Sequence, residues 1–173
     1  MKYVVIATGQ SLTADQLEKV KHLPCIAVSD AYKVAPWAVA MVSQDRAWWR
    51  AHPEALKFKG QKFSGSEIEG TEAVKHEGLI TTGTNSGLLA CHVAVTLLGA
   101  TSLLLLGIDL HGTHYFGPHP APLRNTQPHR FEQMKKQFAQ WRPKVPVVNC
   151  STGSALTCFP RMDLDACLAE LAA

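Results

Sequence analysis

Ser86-Gly87-Leu88-Leu89-Ala90-Cys91-His92-Val93-Ala94-Val95-Thr96-Leu97-Leu98, then Gly99-Ala100-Thr101-Ser102, then Leu103-Leu104-Leu105-Leu106-Gly107-Ile108-Asp109, forms the longest apolar stretch of the chain. From Gly87 to Asp109 it is long enough to cross a bilayer. The Gly99–Ser102 interruption divides it into halves of different character, the first of helical length and the second a short leucine run closed by glycine. A buried helix followed by a buried strand accounts for both, because a strand covered on both faces reads as one continuous apolar run. No membrane span is needed.

The same alternation extends outward in both directions. Tyr3–Ala7 predicts a strand, Thr8-Gly9-Gln10-Ser11 a turn, and Thr13 with Gln16 a capping box opening a helix to about Lys21. Cys25–Ser29 and Val39–Ser43 predict strands, the second leading into a helix around Trp48 and Trp49. Leu56–Glu69 is polar and reads as irregular, while Thr71–Lys75 predicts a short strand. Past Asp109, a Pro-, Gly- and His-rich loop covers His111–Thr126. An amphipathic helix spans His129–Trp141 and a closing helix Leu164–Leu171. Between them Val145–Asn149 predicts a strand that Pro146 confines to a strand start or a sheet edge. Strands separated by helices imply parallel pairing. The expected architecture is a single α/β domain, Rossmann-like, with helices on both faces of a mostly parallel sheet.

Composition narrows the function classes. The 173 residues are 46% hydrophobic and 18% charged, which is globular. A net charge of +3 with no Lys/Arg block gives no footprint for nucleic acid. Met1–Ile6 lacks the layout of a signal peptide, and five cysteines without C-x-x-C spacing read as reduced thiols of a cytoplasmic protein. Trp37, Trp48 and Trp49 suit a subunit contact of a homo-oligomer, an acceptor platform, or the core.

In such sheets ligands bind at the carboxyl ends of strands. Four exits carry suitable residues. Thr8-Gly9-Gln10-Ser11 permits close backbone approach before a helix start, without matching the dinucleotide or phosphate-loop fingerprints. Asp30 follows the second strand and can accept hydrogen bonds from a ribose or base. Ser43-Gln44-Asp45 follows the third and equally suits a helix cap. The run Thr81-Thr82-Gly83-Thr84-Asn85-Ser86-Gly87 is richer than capping demands, and places hydroxyls, an amide and backbone N–H groups where an anion binds. The loop beginning at Asp109 then brings His111, His114 and Tyr115, side chains able to move a proton or pair with phosphate. Asp109, His111, His114 and His119 are also of metal-ligating types, but their spacing matches no standard site.

Thr84-Asn85-Ser86-Gly87-Leu88-Leu89-Ala90, Leu98-Gly99-Ala100 and Leu105-Leu106-Gly107-Ile108-Asp109, with Gly9-Gln10-Ser11-Leu12 at the first turn, resemble a pattern shared by two groups. These are the bacterial sialyltransferases that use a CMP-linked donor and the relatives of the archaeal 6-hydroxymethylpterin diphosphokinase. Val147-Val148-Asn149-Cys150-Ser151 and Ser154-Ala155-Leu156 resemble their last strand and its exit. The resemblance implies that Thr8, Gly9 and Ser11 line a nucleotide site, with Asp30, Gln44 and Ser86 beside it. It places His111 and Tyr115 where the sialyltransferases bind phosphate. Gln10 replaces the Pro of their first loop. Their general-base His has no direct counterpart: Pro122 occupies the aligned position and His119 is nearest in sequence.

Three functions follow as expectations. The first is transfer of a glycosyl group from a nucleotide-sugar donor of CMP type, with His119 or His114 as base and His111, Tyr115 and the Ser86 helix start stabilising the leaving phosphate. The second is diphosphokinase-like transfer from ATP to a small alcohol, with Asp109 and Asp30 holding Mg²⁺. The third is nucleotide binding without turnover. In each the partner is a small molecule.

Overall fold

In the computed structural model, which describes residues 1–74, 85–118, 121, 123 and 125–172, the predicted strands meet in one sheet. Its strands are β1 (Lys2–Ile6), β2 (Cys25–Val28), β3 (Ala40–Ser43), β4 (Gln61–Ser64), β5 (Glu72–Ala73), β6 (Ser102–Leu106) and β7 (Val147–Asn149). Every pairing is parallel, in the order β5-β4-β3-β2-β1-β6-β7. The fold is α/β and Rossmann-like. From β1 the chain works outward to β5. It then returns through α3 (Ser86–Thr96) to the other side of β1, where β6 and β7 complete the sheet. The order therefore reverses between β1 and β6.

Side-chain alternation explains the apolar runs. Val5 of β1 and Leu103 and Leu105 of β6 enter one core with α3 and with Phe138 of α4 (Pro128–Gln140). Val4, Ile6, Leu104 and Leu106 enter the other, with Leu17 of α1 (Ala14–Val20), Trp48 and Trp49 of α2 (Arg46–Ala51), and Leu164 and Cys167 of α5 (Leu164–Ala172). Both faces are covered, so neither needs polar residues. Trp48 and Trp49 belong to this core, whereas Trp37 is half-buried beneath the Lys21 ammonium. No helix among the described residues is long and apolar enough to cross a membrane.

Local chemistry sets several ends. Thr13 accepts from the Gln16 N–H while the Gln16 side chain accepts from the Thr13 N–H, the capping box read from the sequence. β7 begins directly after Pro146 and lies at the sheet edge, where a missing N–H costs no ladder bond. The expectation of irregular chain over Leu56–Glu69 is corrected by β4. That strand has one buried apolar residue, Phe63, and owes its conformation to pairing with β3. Thr71–Lys75 contributes a two-residue strand at Glu72–Ala73, and Lys75 lies outside the described residues.

Candidate functional site

At the reversal the β1 and β6 exits are drawn together beyond the strands themselves. Ala7 N–H donates to Leu106 O (2.8 Å) and Gly9 N–H to Gly107 O (2.8 Å), extending the ladder by two bonds. Glycine is required at both positions. A Cβ on Gly9 would meet Gly107 O at 2.5 Å and collide with the Asp109 carboxyl carbon; Gly107, at φ +66°, would drive one into Ala7 O. The Ser11 N–H and hydroxyl then donate to the two oxygens of buried Asp109, at 2.8 and 2.5 Å. Asp109 is thus a clasp between residues 98 positions apart. Behind it, Ile108 N–H donates to Ser151 Oγ (3.0 Å), Ser154 Oγ–H to Ile108 O (2.6 Å) and Ala155 N–H to Asp109 O (2.7 Å).

The loop after Asp109 folds back over the β1 exit. His114 bridges to Gly9 in antiparallel fashion, and Tyr115 N–H donates to Thr8 O (2.6 Å). This sets His114 Nδ1 3.1 Å from Thr8 Oγ1. His111 Nε2 lies 3.0 Å from Gly153 O. A carbonyl only accepts, so Nε2 carries the proton and Nδ1 is the acceptor of the neutral ring. Among the described residues, Ser29 (46°) and Leu110 (55°) are the non-glycine residues that take positive φ, and both stand at strand exits on the same cleft. Strain of this kind, about 1–3 kcal/mol each, concentrates at binding sites.

The α3 amino terminus forms the facing wall. Asn85 caps it through Leu88 N–H (3.1 Å) and donates to Gln137 Oε1 of α4 (2.9 Å). Gln44 Oε1 accepts from Asn85 N–H (2.6 Å), and Gln44 N–H donates to Ser86 Oγ (2.9 Å). With Leu88 and Leu89 N–H also satisfied, the first-turn N–H groups of Ser86 and Gly87 stay without a protein acceptor among the described residues.

Between these walls lies a cleft of about 340 Å³, within the roughly 300–1,000 Å³ of small-molecule pockets. Thr8, Gly9, Asp30, Asn85, Ser86, Gly87, Asp109, His111 and His114, all singled out from the sequence, line it together. Gln10, Ser11, Gln44 and Tyr115 do not. Ser11 and Gln44 are ties behind the surface, Gln10 approaches the Gly112–Thr113 backbone, and Tyr115 is exposed with its ring edge-on to Phe116. Thr84 and His119 lie outside the described residues, as do Thr81–Gly83 and Pro122. The helix α4 was expected from the sequence, but its place in the cleft was not. Phe131, Met134 and Phe138 give the cleft an apolar side and Arg130 a cation. Their i, i+3, i+7 spacing was the visible signal, but it marks a buried stripe without saying what covers it.

No family model, curated protein or solved structure matches the chain.

Asp30 is the most elaborately held side chain of the cleft. Lys33 Nζ donates to Oδ1 (2.5 Å), Trp48 Nε1 to Oδ2 (3.0 Å), and His52 Nε2 lies 3.3 Å from Oδ1. Burial opposes its ionisation, but the Lys33 ammonium, the Trp48 N–H and His52 together outweigh that, holding its pKa below the ordinary carboxylate value. A depressed folded-state pKa contributes stability above the unfolded value, about 3.9, that is lost as pH falls through the folded one. Asp30→Asn should therefore flatten the acid limb of stability below about pH 4. Urea titrations at stepped pH check this; parallel limbs in the two proteins would contradict the assignment. Asp30 and Asp109 both turn their oxygens to protein donors, and no group of three or more His, Cys, Asp and Glu among the described residues is placed to hold a metal ion.

Proposed function

We propose that the cleft binds a nucleotide of CMP type and that the chain is a nucleotide-dependent transferase, moving a glycosyl group from a CMP-linked donor. One observation carries this reading: two N–H groups of the α3 first turn, unclaimed among the described residues, share a cleft at the strand-order reversal with two histidines. Helix amino termini with free N–H groups favour phosphate, and a reversal point is where open α/β sheets take their ligands. The base would lie along Phe131, Met134 and Phe138, leaving the phosphate to Ser86, Gly87 and Arg130. In place of the expected His119 or His114, His111, with Nδ1 as acceptor, takes the proton of the incoming hydroxyl, and His114 takes the place beside the leaving phosphate that was expected of His111. The diphosphokinase-like alternative asks Asp109 and Asp30 to hold Mg²⁺. Their oxygens face Ser11, Lys33, Trp48 and His52, which makes them poor cation ligands.

Gly87→Asp separates binding from folding. A Cβ there meets nothing closer than 3.6 Å, and an acidic residue in the first turn favours the helix by about 0.3–1 kcal/mol. It also puts a negative charge where phosphate is to sit. CMP at a hundred times its Kd stabilises by about 2.7 kcal/mol, a rise in Tm of about 5–10 °C for a chain of this size. The variant should melt no lower than wild type without nucleotide and lose that rise. A full-size rise in Gly87→Asp would refute the phosphate position. Binding with no turnover of any CMP-linked sugar would leave nucleotide binding as the function.

A further inference from the structure

Two buried thiols lie outside the cleft chemistry and face each other. Cys150, just past β7, and Cys167, on α5, have their sulfurs 3.6 Å apart and are 17 positions apart in the chain. Both are almost fully covered, whereas Cys158 is exposed. We propose that Cys150 and Cys167 form an oxidation-responsive pair whose disulfide staples α5 to the carboxyl end of β7. The sulfurs need to close by about 1.5 Å to reach bonding distance. Leu164 and Cys167 are the buried side chains among residues 164–169 of α5, and the Lys19–Asp165 ion pair that ties the helix to α1 is exposed. Local opening of this one helix presents both thiols without unfolding the sheet.

The oxidant is a low-molecular-weight disulfide such as oxidised glutathione. One cysteine thiolate attacks it, forming a mixed disulfide and releasing one glutathione. The second cysteine sulfur then attacks the mixed disulfide and displaces the other. The pair loses two electrons and two protons, and the glutathione disulfide gains them as two thiols. Burial, reinforced by the neighbouring Cys167 thiol, pushes the Cys150 thiol well above its ordinary range. The exchange is accordingly slow, on the scale of hours. Cys150 is also tied into the packing behind the β6 exit. Cys150 sits between Asn149, whose amide donates to Leu156 O (3.2 Å), and Ser151, which receives Ile108 N–H (3.0 Å).

The test is incubation of the whole protein with excess oxidised glutathione, then denaturation, alkylation and peptide mass spectrometry. The expected product is one linked peptide pair carrying Cys150 and Cys167, with Cys25 and Cys91 still alkylated. Closing a loop of this size should raise Tm by roughly 6–10 °C, reversibly with dithiothreitol. Cys158→Ser should behave like wild type, and Cys167→Ser should form no link. Full alkylation of both cysteines, glutathione adducts in place of the link, or a linked protein with unchanged Tm would each overturn the proposal.

Discussion

Gly107→Ala should cost at least about 4 kcal/mol, the range that marks a specific structural fault. Two penalties combine. A non-glycine residue at φ +66° is strained by about 1–2 kcal/mol. The added methyl is also driven into Ala7 O and comes within 3.2 Å of Gly9 N, so relief requires moving backbone and not a side chain. Because Gly9 N–H donates to Gly107 O, that movement breaks the ladder extension closing the base of the cleft. Urea denaturation reads the loss, and CMP should give no rise in Tm in whatever folded fraction remains. A cost within about 0.5 kcal/mol, that of an ordinary surface change, would show that the two exits do not approach as closely as described.

Asp109→Ala should cost roughly 3–5 kcal/mol, since two hydrogen bonds to a buried carboxylate are lost at about 1.5–3 kcal/mol each and the Ser11 donors lose their acceptor. Asp109→Asn should cost less, because one oxygen still accepts, although its NH₂ then faces the second donor. A double-mutant cycle with Ser11→Ala isolates the hydroxyl component. Coupling near zero would mean that the 2.5 Å contact is not a working bond and that Asp109 serves the ligand directly.

Much of the framework was legible because the information is local. β2 is apolar throughout, and β1, β3 and β6 are apolar apart from an end residue (Lys2, Ser43 and Ser102) because both faces of the sheet are covered, and Thr13 with Gln16 is a complete capping instruction in four residues. β4 was missed for the opposite reason: Gln-Lys-Phe-Ser has no period to read, and its partner strand makes it a strand. Strand order was beyond reach, since it depends on where α3 returns. At the site, position proved easier to read than orientation. Ser11 and Gln44 stand at strand exits as a ligand-binding residue would, yet their side chains hold neighbouring loops in place. A sequence gives a polar group's address but not its aim. Arg130 and the apolar stripe of α4 join the site only because that helix lies across the cleft, some twenty residues past Asp109.

The central position of β1 has a consequence for how the molecule is made. Its neighbour β2 follows within twenty residues, but its other neighbour, β6, is about a hundred residues away in the chain. During synthesis the Lys2–Ile6 edge that will receive β6 stays without hydrogen-bond partners until Ser102–Leu106 has been made. Pairing at such separation is intrinsically slow, and an open apolar edge invites association with other chains meanwhile. The nascent amino-terminal half is thus the interval in which a chaperone would matter most.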